Sequence, residues 1–117
     1  MQDIERLRNV LLTECRVDYV GLWEVISHVE YETGQSDRRM VREIAMALIA
    51  QLLQEGLIKA GAPNDTGGFI EWELSPEEAV RRINDEWTAL GREPNLGDIV
   101  WFTSTEAGDI HVREAAK

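Results

Sequence analysis

The order of periodicities along the chain predicts an α+β fold: a three-helix core, a small antiparallel sheet and two further helices toward the C-terminus. Three observations carry that reading. A long, mostly apolar helix over Asp37 to about Gln54 breaks at Glu55-Gly56 and passes at once into a short strand, Leu57–Ala60. A loop rich in Gly, Pro, Asn and Asp then returns the chain as a second strand, Phe69–Leu74. Ser75-Pro76-Glu77-Glu78 follows, with Ser at the N-cap, Pro at the first helical position and Glu at the third, which starts a capped helix.

The remaining elements follow in order. Ile4, Leu7, Val10 and Leu11 recur at helical spacing, so a first helix is expected from Asp3 to about Glu14, with Asp3 as its cap. Arg16–Val20 is rich in β-branched and aromatic residues and reads as a short extended segment. Leu22, Val25, Ile26 and Val29 give a second helix from about Gly21 to Glu32, stopped at Thr33-Gly34. In the third helix Met40, Val41, Ile44, Ala45, Leu48, Leu52 and Leu53 are apolar, and Ala47, Ile49 and Ala50 fill most of the rest. Such a helix is central, with only the turn bearing Arg38, Arg39 and Arg42 facing water. The capped helix runs to about Leu90. A turn-rich loop, Gly91–Gly97, leads to a third strand, Ile99–Thr103, and Ser104 or Thr105 caps a last helix weakened at Gly108. Trp72 is in phase with Ile70 and Leu74, and Trp101 with Ile99, so the strand tryptophans are expected against the core.

A length of 117 residues suits one domain, and 44% hydrophobic residues suffice for a core without a staple. The one cysteine, Cys15, has no internal disulfide partner and reads as a buried thiol. No basic-apolar leader and no membrane-length apolar run is visible, so a soluble cytoplasmic protein is expected. The charge is strongly acidic: 22 acids against 12 bases, net −10. It is also uneven. Residues 1–62 carry 10 acids and 7 bases (net −3), and residues 63–117 carry 12 acids and 5 bases (net −7). Affinity for duplex DNA rests on cations neutralising phosphates. This balance therefore argues against nucleic acid and for steered association with a basic protein.

Leu52-Leu53-Gln54-Glu55-Gly56-Leu57-Ile58 resembles the end of the reading helix and first wing strand of PadR-type and MarR-type regulators, in the winged helix-turn-helix superfamily. Trp101–Gly108 resembles the segment that closes the wing there. The resemblance covers about two-thirds of the chain, as one winged-helix-like domain. Residues 1–62 would form the helical core and first wing strand, and 63–117 an acidic strand-helix-strand-helix extension. The chain departs from the pattern by 38 residues, Gly61 to Asp98, between first and third strands. Either the third strand is an addition or the helix between is an insertion. The resemblance implies a regulator, as a dimer, whose third helix enters the major groove through Arg38, Arg39 and Arg42. Against that use, Asp37 and Glu43 sit among the arginines, and the ribbon offers Asp65, Glu71 and Glu73 against Lys59 alone.

Catalytic and cofactor motifs are not recognisable, and no metal site is expected. Glu24, His28 and Glu32 share a helix face, but no other segment supplies an obvious further ligand, so a solvated polar face accounts for them. The leading expectation is a non-enzymatic protein-interaction module, similar in size and charge to small acidic bacterial toxin-immunity proteins. Its partner-binding residues would be Glu71, Trp72, Glu73, Glu77, Glu78, Asp85 and Glu86, an aromatic anchor with an acidic rim. The alternative is the winged-helix regulator.

Overall fold

The computed structural model describes residues 2–115, with side chains from residue 4 on, so the capping role expected of the Asp3 side chain lies outside what is described. Helix α1 (Gln2–Val17) leads into a two-residue strand, β1 (Val20–Gly21). Helices α2 (Leu22–Thr33) and α3 (Arg38–Gln54) follow, then the hairpin β2 (Ile58–Pro63) and β3 (Phe69–Glu71). Helix α4 (Pro76–Leu90), strand β4 (Trp101–Ser104) and helix α5 (Glu106–Ala115) complete the chain. The fold is α+β, as the periodicities predict.

The sheet is antiparallel throughout, in the order β1-β4-β2-β3. The last strand in sequence is thus interior to the sheet. Phe102 lies opposite both Val20 and Ala60, and its side chain is buried. Leu7, Leu12, Leu22, Val29, Ile49, Leu52 and Ile83 complete a single core between the helices and one sheet face.

The helix ends follow their capping chemistry. Asp37 accepts from the backbone N–H of Arg39 (3.0 Å) and Met40 (3.1 Å). After α3, Gly56 takes the left-handed conformation (φ +71°), and Leu57 N donates to Leu52 O (3.0 Å) while Gly56 N donates to Leu53 O (3.0 Å). Ser75 accepts from Glu78 N (3.2 Å), and Glu78 accepts from Ser75 N (2.9 Å).

Four expectations need correction. Arg16 and Val17 are helical, because the stripe Leu7-Leu11-Cys15 carries α1 a turn further than expected. Strand β3 ends at Glu71, so Trp72 falls just beyond it. Ile70, on the edge strand β3, is 61% exposed, and Leu74, beyond the end of that strand, is exposed as well. Helix α3 keeps a solvent stripe of Met40, Glu43, Ala47 and Gln51, on the face opposite its buried Ala45 and Ile49.

Two long-range contacts fix α1 and α5 to the end of α3. The guanidinium of Arg8, a buried residue, meets the Glu55 carboxylate in a two-point pair (3.1 and 2.5 Å). Arg8 holds Glu55 below its ordinary value of 4.5. The folded state therefore keeps Glu55 ionised to lower pH than the unfolded chain does. This contribution is complete above the ordinary value and is lost as pH falls through the depressed one. A urea stability profile should fall through this acid range, and Glu55→Gln should lower stability at neutral pH and flatten that limb.

At the start of α5, Thr105 Oγ1 donates to Gly56 O (2.6 Å) and Thr105 N to Leu57 O (3.1 Å). Gly108 is buried in that contact, and a Cβ there would sit 2.1 Å from the Leu57 carbonyl oxygen. Helix propensity alone favours Gly108→Ala by about 1 kcal/mol. The close approach reverses the sign: the variant should lose roughly 1–3 kcal/mol in urea unfolding.

Candidate functional site

The end of α1, the turn into α2 and the start of β4 enclose a hollow of about 550 Å³. Its aromatic wall is Tyr19, Trp23 and Trp101. Trp23 and Trp101 meet edge to face, with centroids 4.9 Å apart at 84°. The ring of Tyr19 tilts against Phe69 (5.1 Å), and its hydroxyl donates to Gly67 O (2.8 Å), which ties the hollow to the hairpin turn. Val17 (79% exposed) and Leu96 (75% exposed) border it, so two of the chain's most exposed large apolar side chains flank one concavity.

The backbone sets this geometry. Gly21, in β1, pairs with Trp101 and also caps α2. A Cβ at Gly21 would sit 1.7 Å from the Trp23 ring, so the ring lies directly over a position that has none. Glu24 accepts from Gly21 N (3.1 Å), which fixes the first turn that carries Trp23.

The charge of the lining has one sign. Glu14, Asp18 and Glu24 line the hollow, and no Lys, Arg or His does. Asp18 accepts from Tyr19 N (2.7 Å), which leaves its other oxygen outside that bond. Behind this wall the Cys15 thiol is pushed up to about 12, by burial first and then by the negative charges of Glu24 and Glu14. Cys15 is a buried, protonated thiol at neutral pH.

The acidic residues expected from the sequence lie elsewhere and are partly committed. Glu78 closes the α4 capping box, and its pKa is lowered by the bond from Ser75 N. Glu86 pairs with Arg82 (2.7 Å), and the Arg82 guanidinium covers the Trp72 ring at 3.8 Å. Glu71 and Trp72 share a small cleft with Leu74 beside β2. Glu73, Glu77 and Asp85 are exposed. The seven do not converge on one concavity, and Trp72 is covered by Arg82.

The three arginines of α3 line a second cleft, facing α4 and the loop after it. Arg38 bridges Glu30 (2.5 Å) and Glu93 (2.8 Å), bonds that raise its pKa. Arg42 donates to Asn84 Oδ1 and Thr88 Oγ1 (2.8 Å each) and lies 4.8 Å over the Trp87 ring. Arg39 reaches only Glu43, at 3.4 Å.

On α2, Glu24 caps Gly21, and Glu32 pairs with Arg6 at 3.0 Å, so the Glu24-His28-Glu32 face is split between two structural roles. No group of three or more metal-binding side chains converges among the described residues. No helix among them is long and apolar enough to cross a membrane. Comparison with known protein families, curated proteins and solved structures finds no match to this chain.

Sequence reasoning missed the hollow because its walls come from residues 14–24, 63, 96 and 101. One local signal was present: Leu96 stands alone between the turn residues Asn95 and Gly97. Gly21 has φ −81°, which any residue adopts, so Gly21→Ala should leave the backbone in place and displace only the Trp23 ring. Far-UV circular dichroism should be unchanged. The near-UV signal of the tryptophan pair should fall, and stability should drop by about 0.5–1.5 kcal/mol.

Proposed function

We propose that this chain is a non-enzymatic protein-interaction module that seats a basic partner in the aromatic hollow, in the manner of an immunity or antitoxin protein. One observation carries the reading: exposed Val17 and Leu96 beside Trp23 and Trp101, in a concavity whose only charged lining is Glu14, Asp18 and Glu24. Aromatic side chains in a desolvated pocket are the usual energetic centre of an interface. A rim of one sign selects the partner and speeds encounter more than it adds affinity. The exposed carboxylates Glu71, Glu73, Glu77 and Asp85 add to the field that a basic partner meets at long range.

A winged-helix origin of the scaffold is supported by the strand order. Strand β4 lies between β1 and β2, where a wing's closing strand would lie, so β3 and α4 read as an insertion. The regulator remains the second reading on that ground. DNA contact by α3 is disfavoured by the engagement of Arg38 and Arg42 with Glu30, Glu93, Asn84 and Thr88.

Titration with Lys/Arg-rich peptides that each carry one Leu or Phe should give salt-weakened binding. Leu96→Arg and Val17→Arg, which put a cation at the hollow and leave the core intact, should weaken it by about tenfold or more. Absence of such binding, together with low-salt retention on duplex DNA that Arg39→Ala abolishes, would turn the reading to the regulator.

A further inference from the structure

The cleft between the start of α3 and the end of α4 has a volume of about 570 Å³. Arg38, Arg39, Arg42 and Arg92 line it against one carboxylate, Glu93. One-third of the chain's 12 cationic side chains therefore gather at one place in a protein of net charge −10.

The four arginines are not equivalent. Arg38 is neutralised between Glu30 and Glu93, and Arg92 pairs with Asp98 (2.8 Å). Arg39 is 87% exposed at its side chain, with one long contact to Glu43. Arg42 differs from all three. Its bonds run through Nη2 alone, to neutral acceptors on Asn84 and Thr88, and its guanidinium is stacked against Trp87. No carboxylate lies within ion-pair distance of it among the described residues.

Arg42 is thus a fixed positive charge whose fork is held on one side only. A guanidinium matches phosphate and carboxylate oxygens with two parallel N–H donors. One already held in place loses little freedom when it binds. We propose that this cleft binds a small multivalent oxyanion, with Arg42 as the fixed receptor and Arg39 as the second donor. The shared chemistry is that of a phosphate group or a polycarboxylate. A duplex is a poorer fit, because Glu93 lines the cleft and Glu30 and Glu43 border its arginines, so a long polyanion would meet them together. The inference does not depend on the aromatic hollow, whose lining shares no residue with the cleft.

Calorimetry with inorganic phosphate, pyrophosphate and citrate, each against chloride at equal ionic strength, tests it. Saturable one-to-one binding is expected, with a thermal midpoint that rises and levels off with the anion. Phosphate above citrate, or the reverse, identifies which oxyanion the cleft prefers, and either order supports the site. Arg42→Gln should weaken binding by about tenfold or more. Arg42 also holds α4, so Arg39→Gln provides the variant that leaves the fold intact: its midpoint without anion should be unchanged and its affinity reduced. No saturable response in the native protein, or responses unaltered in both variants, would overturn the proposal. Displacement of phosphate by duplex DNA, lost on Arg42→Gln, would overturn it in favour of a nucleic-acid surface.

Discussion

The structure depends on strand β4 lying inside the sheet. Trp101 pairs with Gly21 on one side and Gly61 on the other, and Phe102 pairs with Val20 and Ala60. Both neighbours of Trp101 are glycines held in close contact. A Cβ at Gly61 would meet the Ile70 carbonyl oxygen at 2.0 Å, and one at Gly21 would meet the Trp23 ring. Joining β2 to β4 closes a loop of nearly forty residues, whose entropy cost grows only slowly with length. That segment has to leave the sheet at β3, pack, and return to the centre. The return puts Trp101 beside Trp23 and makes the hollow, and the excursion lays α4 on α3 and makes the arginine cleft.

The energetics of that docking are mainly apolar. Ala79, Ile83 and Trp87 of α4 are buried, and a fully buried large side chain contributes about 1.5–3 kcal/mol. The ion pairs around it are exposed, where each is worth about 0–1 kcal/mol. Arg42, through Asn84 and Thr88, and Arg38, through Glu93 in the loop that follows, therefore set the position of α4 more than they hold it down. This use of arginine changes the electrostatics of α3. Its basic first turn is turned from an open surface into the wall of a cleft, and only Arg39 still projects freely into water.

Elements with local chemistry at their ends were legible in the sequence. The Ser75 capping box, the Asp37 cap and the Gly34, Gly56 and Gly91 stops place α2, α3 and α4 within a residue or so of their observed bounds. Strand ends were less legible, because alternation reports a pattern and not a partner. Ile70, Trp72 and Leu74 alternate as a buried strand would, yet β3 is an edge with an open face. The candidate surfaces were legible only in fragments. Arg38, Arg39 and Arg42 stand together in sequence, but Trp87 and Arg92, which complete their cleft, arrive through the packing of α4. The hollow joins α1, α2, β4 and the loop before it, and only the sheet order brings them together.

That loop connects the two surfaces by a strained turn. Ile99 has φ +70°, an outlier for a β-branched residue, and Val100 N donates across it to Asp98 O (2.8 Å). Such a conformation costs on the order of 1–3 kcal/mol and persists only where its surroundings over-determine it. Here both sides are fixed. Asp98 accepts from Arg92 and from Asn95 N (2.8 Å each), contacts that lower its pKa. Val100 is buried, and its carbonyl accepts from Leu22 N (3.1 Å). Leu96 lies in the turn just before, closed by the bonds between Asn95 and Asp98. The Asp98 carboxylate beside the strained residue thus does two things: it pairs with Arg92, which lines the cleft, and it closes the turn that carries Leu96 to the hollow.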